Sequence, residues 1–234
     1  MVRRFWPLLL PLPLVSLLAV PLPAAADPGT VVARYGFDAG SGRVAESTDD
    51  SGNGHTLYAA GTGRVAAVAH DGGRAVRFPS GCCAVLEAAS SPALNPGRAA
   101  FRFGATVRLT RAQTSPGSNV VQKGYASGPG GEWKLQVDGY AGQPSCVLVG
   151  AGSPAIHLAL AGRSVADGRW HQLTCLRAGG ELSISVDGTV AATTAIPADL
   201  AVDNGLPVRI GGKGAGRGND QFHGEVDDVF IAIG

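Results

Sequence analysis

Apolar and polar residues alternate along most of this chain with a period of two. Phe101, Phe103, Ala105, Val107 and Leu109 take turns with Arg102, Gly104, Thr106 and Arg108. Trp133, Leu135 and Val137 alternate with Glu132, Lys134 and Gln136, and Leu182, Ile184 and Val186 with Ser183 and Ser185. Tyr35 and Phe37 share one face, as do Val76 and Phe78. This is the signature of strands with one dry face and one wet face. Asp138-Gly139 and Asp187-Gly188 directly follow two of these runs, and Asp71-Gly72 and Asp167-Gly168 punctuate others. Asp-Gly tolerates the positive φ of tight turns. Long helical periodicity is lacking. Many short strands at regular spacing predict an all-β sandwich or barrel, and their number predicts two stacked antiparallel sheets.

The start of the chain follows another rule. Arg3 and Arg4 precede an apolar run over residues 5–23, which prolines 7, 11, 13, 21 and 23 interrupt. Ala24-Ala25-Ala26 then offers a small-residue cleavage site. Residues 1–26 therefore read as a secretory signal peptide. The prolines oppose the unbroken apolar helix of about 20 residues that a membrane anchor needs. Residues 27–234 are expected to form a single secreted domain without membrane insertion. In that portion 17 basic residues face 18 acidic ones. Near-neutrality argues against nucleic acid, which demands clustered positive charge. The 35 glycines and the ten prolines outside the signal segment (15 − 5) are spread among the strands as turn formers.

Four cysteines suit an oxidising compartment and allow three complete pairings. Cys146 and Cys175 both sit in strand-like segments, which favours a bridge between neighbouring strands. Cys82 and Cys83 are adjacent; a ring, a reduced pair and exchange with other thiols stay open for them.

Four motifs occur in order. The opening strand 34–38 leads to Asp49-Asp50-Ser51-Gly52-Asn53-Gly54. Asp167-Gly168-Arg169-Trp170-His171 follows, then Val186-Asp187-Gly188, and finally Gly224-Glu225-Val226-Asp227-Asp228-Val229. Together they resemble the laminin G-like, concanavalin A-type jelly roll, and secreted actinobacterial members in particular. The resemblance implies extracellular recognition of a glycan or a surface protein, sometimes assisted by calcium. That step is analogy, since fold does not fix function.

The expected role is a non-catalytic binding module. Candidate calcium ligands are Asp49, Asp50, Asn53, Asp227 and Asp228, because calcium takes six to eight hard oxygen donors. The competing role for the Asp and Asn side chains is bonding to their own turn. Candidate ligand contacts are Lys123, Tyr125 and Tyr140, an ammonium and two rings placed at loops or strand ends. One alternative is a glycoside hydrolase using Glu225 and Asp227. These fill two places of a Glu-x-Asp-x-x-Glu strand, but Phe230 stands in the third, so the second acid of the catalytic pair is missing. Another alternative is an envelope-associated structural protein with no small ligand. Trp170 and His171 read as packing residues that start a strand.

Overall fold

The computed structural model describes Met1 and residues 29–234. Apart from Met1, the expected signal segment lies outside the described residues. Sixteen strands are described. The first eight are β1 (Thr30–Tyr35), β2 (Glu46–Ser47), β3 (Leu57–Gly61), β4 (Ala66–His70), β5 (Gly73–Arg77), β6 (Ala84–Ala88), β7 (Phe101–Thr110) and β8 (Asn119–Gly124). The second eight are β9 (Glu132–Gln136), β10 (Ser145–Val149), β11 (Ile156–Leu160), β12 (Asp167–Ala178), β13 (Glu181–Val186), β14 (Thr189–Ala195), β15 (Val208–Ile210) and β16 (Glu225–Ile233).

They form two antiparallel sheets. The back sheet runs β14-β13-β12-β7-β16-β5-β4, with β1 also pairing β16. The front sheet runs β11-β10-β9-β8-β15-β6-β3-β2. This is the predicted jelly-roll sandwich. The apolar phase of each strand lies between the sheets: Phe101, Phe103, Val107, Trp133, Leu135, Leu182, Ile184 and Val186 are all buried there. Phe103 and Trp133 meet across the core with ring centroids 4.7 Å apart, and Phe101 stacks on Phe103 at 5.2 Å.

Asp71-Gly72 and Asp187-Gly188 form the expected hairpins, with positive φ at all four residues. The other two pairs do different work. Gly168 lies within β12 at an irregularity between Asp167 and Trp170. Asp138 opens a longer loop and anchors it, its Oδ1 accepting from Ser118 N at 2.6 Å.

Cys146 is bonded to Cys175, with 5.7 Å between the Cα atoms. The bridge joins β10 of the front sheet to β12 of the back sheet. It is therefore a staple between layers and not one between neighbouring strands. Alternation alone cannot distinguish these cases, because it says which residues face inward and not which sheet they face from. Cys82 and Cys83 are bonded to each other.

Candidate functional site

The opening loop is closed on itself. Asp49 is buried; its Oδ1 accepts from Arg34 N, Ser51 N and Ser51 Oγ, and its Oδ2 accepts from His55 N. Burial pushes its carboxyl up, but these bonds outweigh that and hold it below the ordinary range. Asn53 donates its amide to Val31 O and Val32 O. Asp50 Oδ2 accepts from Gly36 N at 2.7 Å. The loop carboxylates thus bind the opening strand and the turn itself. Four donors take up the Asp49 oxygens, whereas the Asn53 Oδ1 accepts no hydrogen bond among the described residues.

Asp227 and Asp228 lie on the outer face of the back sheet. Asp227 Oδ2 meets His70 Nδ1 at 2.5 Å, and its Oδ1 accepts from Asp228 N at 2.7 Å. Burial raises its pKa against the pull of those two bonds. A bulge between Asp227 and Phe230 turns Asp228 outward at φ 46°. With Asp38, His70 and Arg74 these aspartates line an open cleft of about 610 Å³. Of the five expected calcium ligands, Asp50 and Asp228 keep free carboxylate oxygens. Among the described residues no group of three or more His, Cys, Asp or Glu side chains is placed to hold a metal ion.

Glu225 belongs to the same face and is fully engaged. Arg77 Nε donates to its Oε1 at 2.8 Å, and Arg108 Nε donates to its Oε2 at 2.5 Å. The back-sheet register runs Trp170, Arg108, Glu225, Arg77 across four strands. Trp170 stacks on His70 with centroids 3.8 Å apart, and the Arg108 guanidinium lies 5.2 Å from its ring centroid. Trp170 is therefore a wall of the outer face and not a core residue. His171 is buried, its ring nitrogens within 3.0 Å of Asp167 and Asp187. With both Glu225 oxygens held, neither is free to attack a sugar or to protonate one.

The outer face of the front sheet is different. Direct cross-strand neighbours share a face, so Arg209, Gln122, Lys134 and Val147 form one polar-to-apolar rung. Glu132 and Gln136 stand beside Lys134 on β9, two residues away on either side. The Glu132 carboxylate is only 4% exposed as a residue. Among the described residues it makes no hydrogen bond or close ion pair. It nevertheless senses the charges of Lys134, Asp220, Lys213 and Asp138. Asp138, six residues farther along the chain, is near enough to act on it. Burial raises the pKa of Glu132, partly offset by Lys134, and burial likewise raises that of Asp138. Asn119 Oδ1 and Gln136 Oε1 are buried acceptors with no partner. Beyond Gly131 an open hollow of about 600 Å³ is walled by residues 128–131 and 203–206.

The three expected contact residues are dispersed around this surface. Tyr125 is part of its wall: its hydroxyl donates to Lys213 O at 2.7 Å and accepts from Arg209 Nη1 at 2.9 Å. Tyr140 is exposed on the loop after β9, near the far end of the sheet from Tyr125. Lys123 is wholly buried, its Nζ donating to Asn204 O at 2.5 Å and Oδ1 at 3.1 Å. It ties β8 to the loop at Asn204 and presents nothing to a ligand. Glu132, Lys134 and Gln136 lie on the wet face of β9 that alternation predicts.

Burial pulls the Lys123 ammonium down from 10.5 to about 8. The unfolded chain then holds one more proton than the folded chain between those values, so stability rises with pH across that window. The gain expected between pH 8 and 10 is about 1–3 kcal/mol, read by urea unfolding. Lys123→Met is expected to flatten the rise; an equal rise in the variant would assign it elsewhere.

The family described as the concanavalin A-like lectin/glucanases superfamily, of laminin G type, matches residues 87–232. Domain 4 of AbnA, a GH43 extracellular arabinanase from Geobacillus stearothermophilus, solved in complex with arabinotriose, is similar at 16% identity and a TM-score of 0.69. That alignment covers 89% of this chain and 94% of the domain. The binding domain of Paraclostridial Mosquitocidal Protein 1 is similar at 15% identity and a TM-score of 0.68, over 87% of this chain and 48% of that one. The receptor binding domain of botulinum neurotoxin D gives 10% identity and a TM-score of 0.63, over 87% and 49%. The chain thus spans about half the length of the two toxin domains. At these identities the likeness is one of fold. No curated protein sequence matches the chain.

Proposed function

The chain belongs to the concanavalin A-like lectin/glucanases superfamily, and from that premise we propose that it is a secreted, non-catalytic module that binds an extracellular carbohydrate on the outer face of its front sheet. The observation that carries this reading is that Glu132 and Lys134, two residues apart on one face of β9, have no hydrogen bond or ion pair among the described residues.

A neutral polyol suits such a surface. Each sugar hydroxyl can donate to a carboxylate or amide oxygen and accept from an ammonium. Lys134 and Lys213 face Glu132, Asp138 and Asp220 across the face, so neither a strong anion nor a strong cation is favoured. The arabinotriose complex of the similar arabinanase domain supports a sugar. The apolar run at residues 5–23 with its small-residue end supports secretion. The clamped Glu225 supports a binding role over hydrolysis. No step is assigned to calcium.

Titration calorimetry against a panel of oligosaccharides, beginning with arabino-oligosaccharides, tests the reading. Charge-assisted hydrogen bonds contribute about 1.5–3 kcal/mol each, so Glu132→Gln and Lys134→Met should each weaken binding about 10- to 100-fold. Asp228→Asn, on the opposite sheet, should leave affinity unchanged. Equal binding by all three variants, or silence of the wild-type protein across the panel, would reject the site.

A further inference from the structure

Strand β11 closes the front sheet on one side and pairs with β10 alone among the described residues. Ile156, Leu158 and Leu160 share its outer face and are 62%, 43% and 47% exposed. Three large apolar residues in phase on an open edge are a template for another strand, which proteins ordinarily blunt with charge, proline or a bulge. None of these protects β11. Residues 154–162 contain no Asp, Glu, Lys or Arg, and Pro154 lies outside the strand. The pairing with β10 is regular throughout. Ala161 N donates to Pro144 O on the β10 side. By strand alternation the N–H groups of Ile156, Leu158 and Leu160 therefore point away from the sheet.

The neighbouring edge is similar. Strand β14, at the end of the back sheet, packs beside β11 and also carries no charged residue, with Val190 exposed on it. One whole flank of the sandwich is thus an uncharged pair of sheet edges. Of the other edges, β2 has only two residues, and the Arg43–Ala66 bridge occupies one end of β4.

We infer that this flank is an interface with a second copy of the chain, formed by antiparallel pairing of β11 with β11 about a two-fold axis. The strand is self-complementary, because its apolar residues are placed symmetrically about Leu158. Centred there, the pairing sets Leu158 against Leu158 and Ile156 against Leu160, and the reverse contact follows by symmetry. An edge bearing charge would repel its own copy when centred in this way; this one carries none. The same lack of charge gives a differently charged partner nothing to pair with. The pairing also continues the front sheet from one copy into the next, so the two outer faces lie on one side of a single sheet. If those faces bind a glycan as proposed above, a polymer reaches both and gains avidity without new contacts.

Sedimentation equilibrium over about 1–100 µM decides the matter. The wild-type protein is expected at twice the chain mass, and Leu158→Lys and Leu160→Lys at the chain mass, a shift of at least tenfold in the dimer dissociation constant. Both positions are exposed, so their melting temperatures should match wild type. Glu132→Gln should remain a dimer, whatever its effect on sugar, which separates this inference from the ligand reading. A wild-type monomer throughout the range, or a dimer that survives both lysine variants, would overturn it.

Discussion

Trp133→Ala is expected to destabilise the protein by about 3–5 kcal/mol, the range for a large aromatic removed from a packed core. Trp133 is wholly buried on β9 and makes the central contact between the sheets, through Phe103 at 4.7 Å and Phe101 at 6.2 Å. Alanine leaves a void that two back-sheet phenylalanines cannot fill without leaving their stack. The indole Nε1 has no hydrogen-bond partner, so the loss is one of packing. Trp133→Phe is expected to retain most of the stability, since it removes an unpaired donor together with part of the volume. Urea unfolding with unchanged m-value reads both variants. A loss below 1 kcal/mol for alanine would mean that the two sheets are not held together here. The consequence reaches the proposed binding face, because Glu132 and Lys134 flank Trp133 and point the other way.

The second large effect concerns the staple between layers. Changing Cys146 and Cys175 together to alanine is expected to destabilise the chain by about 3–4 kcal/mol, the loop-closure value for a bond between residues 29 apart. Both sulfurs are buried and join different sheets, so the variant loses the only covalent tie between layers found among the described residues. Chemical unfolding of the oxidised wild type against the double variant measures it. If reduction of the wild-type protein changes the midpoint and the double variant does not, the effect belongs to the Cys82–Cys83 pair instead. Folding free energies of single domains are about 5–15 kcal/mol. Either substitution therefore removes a large share of what holds the two sheets together.

Much of the architecture was legible because burial in a sandwich follows a local rule. A strand's side chains alternate, so the inward set at Phe101, Phe103 and Leu109, or at Leu182, Ile184 and Val186, is written in consecutive residues. The hairpins at Asp71-Gly72 and Asp187-Gly188 follow from local backbone conformation as well. The candidate sites were much less legible. Asp49 carries the right atoms for an ion, yet Arg34 N, 15 residues earlier in the chain, and the turn itself take those atoms. Glu225 resembles a catalytic carboxylate until Arg77 and Arg108 arrive from 148 and 117 residues away. Lys123 has the chemistry of a ligand contact, but its ammonium turns to Asn204, 81 residues on.

By itself the sequence determined the class of fold, the inward face of each major strand and the family likeness, because these depend on neighbours a few positions apart. Tertiary structure alone decided which sheet each strand joins, which polar groups meet Glu132 and Lys134 on the front sheet's outer face, and which carboxylates remain free. Those outcomes depend on groups brought together from distant parts of the chain. A polar atom's availability is whatever its eventual partners leave unused.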